Sequence, residues 1–191
     1  MKWCLTLAMT MFMSQIAEAR FATKDESQAL DLNNRYVVHV NDDGTYSMKI
    51  EIWRKVTRDH ARTTVGTHVI YYDADTTSVR LVQAETVNGT QVTAVPEDMI
   101  EDKPVAGNVM GFDENRQIKI AFQQVEVGSK IHLIYEQKVK KVPFQGIFAE
   151  RFMFGRPYWE EGTVFEIDSE LPLNLASNCL LYTSPSPRDQ R

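Results

Sequence analysis

Tyr46-Ser47-Met48-Lys49-Ile50-Glu51-Ile52-Trp53 is the stretch that decides the fold. Tyr46, Met48, Ile50 and Ile52 alternate with Ser47, Lys49, Glu51 and Trp53, and a period of two gives an extended strand one dry row and one mostly wet row. Trp53 stands on the otherwise polar row. Upstream, Tyr36-Val37-Val38-His39-Val40 reads as a second strand, ending at Asn41-Asp42-Asp43-Gly44, where Asp-Gly favours the positive φ angles of a hairpin turn.

Working outward, a third strand is expected from Thr64 through Tyr71-Tyr72. Val79 to Val87 and Gln91 to Val95 flank Asn88-Gly89-Thr90, the strongest hairpin signal in the chain, here expected as a type I′ turn. The same triplet fits a glycosylation acceptor, but the export signal below looks bacterial and favours the turn. Pro96 to Gly111 reads as loop. Ile118, Ile120 and Phe122 alternate with polar or small neighbours, as do Ile131, Leu133, Tyr135 and Val139, so these two segments are expected as adjacent antiparallel strands. A last strand is expected at Thr163 to Ile167. Short strands with turn chemistry between them, and no long 3.6-residue period, predict an all-β chain built as an antiparallel two-layer β-sandwich.

The 191 residues are 43% hydrophobic, enough for one sizeable core and short for two full domains. The 26 acidic side chains outnumber the 21 basic ones, a net charge of -5 that argues against nucleic acid as a partner.

Both ends read as foreign to that core. Lys2 precedes an uncharged stretch from Trp3 to Ile16, and Ala17-Glu18-Ala19 then supplies the small-x-small pattern of signal peptidase cleavage before Arg20. Residues 1–19 are therefore expected to be a cleaved export signal, and the chain periplasmic or associated with the cell envelope. No segment reaches the ~18 apolar residues of a stable membrane span. Residues 20–34 are a polar lead-in, loose or briefly helical, and 35–178 the β-sandwich. From Cys179 through Asp189 the composition changes abruptly and resembles sequencing-adapter read-through, which makes residues 179–191 non-native and the fragment truncated after Asn178. Without both ends neither cysteine remains, so no disulfide, zinc-thiolate site or cysteine nucleophile is expected.

Six features in order carry a resemblance: the Asp43-Gly44 turn; Tyr72-Asp73; Ala84-x-x-x-Asn88-Gly89; Phe112-Asp113-x-x-Arg116 leading to Ile118-x-Ile120; Val127-Gly128-x-x-Ile131-x-x-x-Tyr135; and the aromatic segment before Pro157. Together, over about Arg35 to Leu173, they resemble a bacterial domain of unknown function found just N-terminal to transglutaminase-like cores in exported proteins. Where that family has Tyr-x-Asp before the arginine, this chain has Gly111-Phe112-Asp113. The resemblance implies an all-β, non-catalytic module whose partner is a downstream transglutaminase-like domain of the same chain, with a papain-like Cys-His-Asp triad. None of that triad is assignable here.

The residues themselves offer little chemistry. His39, His60, His68 and His132 match neither a zincin helix nor a Cys/His finger, and His39 and His132 read as structural histidines on a sheet face. There is no G-x-S-x-G elbow, P-loop or G-x-G-x-x-G. Asp73 and Asp75 supply only two carboxylates to a turn, too few for calcium. No catalytic residue, metal or cofactor is expected. The positive candidates are aromatic: Phe144, Phe148, Phe152, Phe154, Tyr158 and Trp159 crowd one segment, and Phe148, Phe152, Tyr158 and Trp159, with Trp53, form the candidate interaction surface. Two functions stay open. One is a scaffold or docking module for the downstream domain; the other is a freestanding glycan- or protein-binding sandwich anchored by Trp53 or by Tyr158-Trp159.

Overall fold

The computed structural model describes residues 23–105, 114–153 and 158–176. The expected signal with Ala17, Ala19 and Arg20, the tail 179–191, and Phe112, Asp113 and Phe154 lie outside them. Eleven strands follow in order among the described residues: β1 (Ala29–Leu32), β2 (Arg35–Val40), β3 (Tyr46–Val56), β4 (Thr67–Asp73), β5 (Thr77–Asn88), β6 (Gln91–Ala94), β7 (Ile100–Pro104), β8 (Asn115–Ala121), β9 (Lys130–Val139), β10 (Trp159–Glu161) and β11 (Val164–Ser169). A 3-10 turn (Asp59–Ala61) running into a single α-helical turn, α1 (Arg62–Val65), precedes β4, and a second 3-10 turn (Glu97–Met99) precedes β7. The chain is all-β, as its alternation predicts.

The decisive stretch is the axis of the larger sheet. One edge of β3 pairs with β9, which pairs with β5 and then β6; the other edge pairs with β2 along its first half and β1 along its last residues. Beyond these, β11 runs parallel to β2 and β10 parallel to β1. A second sheet has the order β4-β8-β7. The apolar row of β3 and β9 faces it, so Ile50, Ile52, Val56, Ile131 and Leu133 pack with Ile70, Ile118 and Ile120. At roughly 1.5–3 kcal/mol for each buried aliphatic side chain, this layer is the main source of stability.

Several expectations change. The segments around Ile118 and Ile131 are not partners: β8 lies in the small sheet, β9 in the large one, and residues 122–129 carry the chain between layers with Gln124 and Gly128 at positive φ. Alternation shows which face a strand buries and leaves its partner open. The stretch read as loop from Pro96 contains β7, which pairs with β8, and the lead-in contains β1, with Ala29 and Asp31 buried. Thr64 falls in α1, so the third strand starts at Thr67. The sandwich is also not wholly antiparallel, because β10 and β11 return along the outer edge parallel to their neighbours. In the hairpin, Asn88 pairs with Gln91, leaving Gly89-Thr90 as the turn, and of these two only Gly89 has positive φ. That is the pattern of a II′ turn, with glycine first, and not of I′.

Candidate functional site

The outer face of the large sheet carries the polar cluster. Directly paired residues share a face, and the registers Trp53↔His132 and His132↔Glu85 set three side chains abreast on β3, β9 and β5. Glu51, two residues before Trp53, completes the group. The indole of Trp53 and the imidazole of His132 are stacked, with centroids 3.7 Å apart and planes 12° from parallel. Glu51 Oε1 accepts a hydrogen bond from Trp53 Nε1 at 2.9 Å and lies 3.0 Å from His132 Nε2, while Glu85 Oε1 lies 3.0 Å from His132 Nδ1. Ionised carboxylates only accept, so both contacts are hydrogen bonds when both ring nitrogens carry protons. Burial would raise the Glu51 carboxyl, but hydrogen bonds from Trp53 and His132 outweigh it and hold the group below its ordinary range. Glu85 is lowered likewise, burial being outweighed by His132 and Gln83.

Trp53 is thereby fixed. Its backbone N–H also donates to Asn34 Oδ1 at 2.8 Å. Trp53 also lines an open groove of about 430 Å³, together with Leu32, Asn33, Arg35, Glu51 and Lys130. It lies where β1 gives way to β2 at Asn33, whose φ of 56° breaks the strand. Arg35 Nη2 donates to both carboxylate oxygens of Glu166, at 2.8 and 2.9 Å. Lys55 and Lys130 are directly opposed across β3 and β9 on this same face.

The other aromatic candidates separate. Trp159 pairs with Leu30, which pairs with Lys55, so Trp159 shares the outer face with Trp53 and is 37% exposed. Tyr158 is turned the other way and buried, its ring 4.4 Å beneath the Arg54 guanidinium, which holds Asp31 through two bonds of 2.6 and 2.9 Å. A Tyr158-Trp159 anchor pair on one surface is therefore excluded by the alternation of an extended chain. Phe148 meets Tyr46 edge-on at 5.2 Å and Phe152 lies 4.6 Å from Phe165, so both face the sheet, while Phe144, Ile147 and Met153 on the same segment are exposed.

The histidines are equally divided. His68 is half-buried near Tyr135, where desolvation and then the Arg54 charge push its pKa down to about 4. His39 lies 3.1 Å from Asp168 at the surface, and His60 lines a shallow cleft with Asp59 and Phe122. Asp73 accepts from the Asp75 backbone N–H, and Asp75 pairs with Lys141. Among the described residues no group of three or more His, Cys, Asp or Glu side chains is arranged to hold a metal, and no helix is long and apolar enough to cross a membrane. Glu51, Glu85, Arg35, Lys55 and Lys130 were invisible as a site in the sequence; register alone assembles them.

Residues 42–191 match the family described as a Domain of Unknown Function with solved-structure structure, DUF3857. No curated protein matches in sequence. Among chains of solved structure, the fold is similar to a crystal structure named a "putative protease" from Parabacteroides distasonis ATCC 8503, with a TM-score of 0.56 and 15% identity over 60% of this chain and 24% of that one. At that identity the likeness is one of fold, and this chain spans about a quarter of the neighbour's length.

Proposed function

The chain belongs to the DUF3857 family, and from that premise we propose that it is a non-catalytic, extracytoplasmic β-layered module that positions an enzyme core of the transglutaminase-like type in a longer exported protein. The observation that carries this reading is the proportion of the match: the same fold accounts for only 24% of a much larger chain, and that chain bears the name "putative protease". The segment 144–153 supports it. Phe148 and Phe152 pin the segment to the sheet, while Phe144, Ile147 and Met153 point apolar surface outward, an arrangement suited to packing against a neighbouring domain.

The uninterrupted reading frame, expressed with and without the region after Asn178, tests the proposal. Amide- or peptide-bond chemistry should appear only in the longer protein. Changing Phe144, Ile147 and Met153 together to Ser should lower the thermal midpoint of the longer protein and leave that of the shorter one nearly unchanged. Turnover by the shorter protein, or a longer frame with no downstream enzyme core, overturns the reading.

A further inference from the structure

The groove beside Trp53 stands apart from segment 144–153 and from the scaffold reading. Three of its features converge on one ligand chemistry. The indole is held rigidly, with one face stacked on His132 and its N–H satisfied by Glu51, so the surface it turns to the groove is a preorganised platform for a flat, C–H-rich ring face. The rim mixes acceptors and donors, a Glu51 carboxylate, the Asn33 amide and the Arg35 guanidinium around a single apolar contact at Leu32, which suits a ring bearing several hydroxyls better than an apolar ring. Finally, Lys55 and Lys130 face each other directly across two strands on this face, and neither takes part in an ion pair among the described residues. Directly opposed like charges cost stability, and an anion placed between them relieves that cost.

We propose that this groove binds a saccharide ring carrying an acid group, with Trp53 as the stacking platform and the Lys55–Lys130 pair facing the acid. The proposal does not depend on a downstream enzyme.

The test is titration of the full chain with trigalacturonic acid and, as the neutral counterpart, maltotriose, read by the emission of Trp53 in a Trp3→Phe, Trp159→Phe background, where it is the one remaining indole, and by amide chemical shifts. The acidic trisaccharide should quench Trp53 emission saturably, shift amides around Asn33, Arg35 and Lys130, and bind about tenfold more tightly than the neutral one at low salt, a margin that narrows as salt screens the lysines. The double variant Lys55→Gln, Lys130→Gln leaves the His132 cluster intact and should erase that margin. Trp53→Ala should weaken binding of both sugars by about tenfold or more, with Trp53→Phe between the two. No saturable binding of either sugar, equal binding of the two by the unaltered chain, or unchanged binding by Trp53→Ala each overturns the proposal, as do shifts confined to segment 144–153.

Discussion

Replacing His132 by Phe removes the central tie of the outer face while keeping a ring against Trp53. Two contacts of 3.0 Å to carboxylates disappear, and Glu51 and Glu85 are left beside a ring with no donor. A hydrogen bond to a charged group contributes about 1.5–3 kcal/mol when both partners are buried. Here the Glu51 side chain is 32% exposed, so water replaces much of what it loses, whereas Glu85 at 17% recovers less. The lower end applies at the first and the middle at the second, giving a loss of about 3–4 kcal/mol, or a midpoint drop of roughly 6–16 °C for a chain of this size. His132→Gln, which can still donate to one carboxylate, should lose about half as much.

Acid should erase the difference. Both glutamates have folded pKa values below the ordinary 4.5, so their contribution is fully present above the unfolded value and is lost as pH falls through the folded one. Urea unfolding of the two proteins should therefore show a gap that narrows as pH falls below about 4.5. A gap under about 0.5 kcal/mol at neutral pH, or one that persists unchanged well below the glutamate range, refutes the argument that the imidazole holds two ionised carboxylates.

Other expectations are as direct. Asp31→Asn should cost about 3–5 kcal/mol in denaturant unfolding, because the Arg54 side chain, only 18% exposed, loses the anion that holds it over Tyr158, and a joint change of Asp31 and Arg54 to Leu and Met should cost less than the single change. Gly44→Ala should be worse than Gly89→Ala: both glycines have positive φ, but an added Cβ at Gly44 would sit 2.7 Å from the Ile147 carbonyl oxygen, whereas nothing lies within 4 Å at Gly89. The latter should cost about 1 kcal/mol and the former clearly more, as thermal melts would show. His68, half-buried between the layers, should titrate by NMR with a midpoint near 4; its folded pKa lies below the unfolded 6.5, so it favours folding above pH 6.5 and loses that contribution as pH falls toward 4. Leu133→Ala, at a fully buried position, should cost about 2–5 kcal/mol.

Much of the architecture was legible because alternation reports burial directly. Ile50, Ile52, Ile118, Ile120, Ile131 and Leu133, all placed on apolar rows from the sequence, are buried. Partner choice was not legible, since the same alternation in residues 118–122 and 131–139 serves strands in two different sheets. The parallel strands β10 and β11 had no local signal of their pairing, which depends on contacts more than 100 residues away in sequence. The site divides in the same way. Trp53 is conspicuous as an aromatic on a polar row, while His132 reads as an ordinary strand histidine until the register puts two carboxylates against it. Aromatic density near 144–159 was a poorer guide, because the rings there turn to both faces of the sheet.

The groove itself follows from a break in a strand. Had β1 run on into β2, a continuous strand would flank β3 and put a side chain beside the indole. Instead Asn33 takes a left-handed conformation, its N–H donates to the Glu161 carbonyl, and the buried Asn34 turns its amide oxygen to the Trp53 N–H, so the neighbouring strand is split where Trp53 needs open space. Gly162 is part of this arrangement: with φ of 71°, a Cβ there would lie 2.3 Å from Asn33 Oδ1. Asparagine tolerates the left-handed region better than most residues, and glycine alone leaves room beside it. Gly162→Ala should therefore displace Asn33, destabilise the β1–β2 edge and shift amide resonances around Trp53, while leaving the small sheet of β4, β7 and β8 unperturbed; shifts confined to residues 160–164 would show that the groove does not depend on this break.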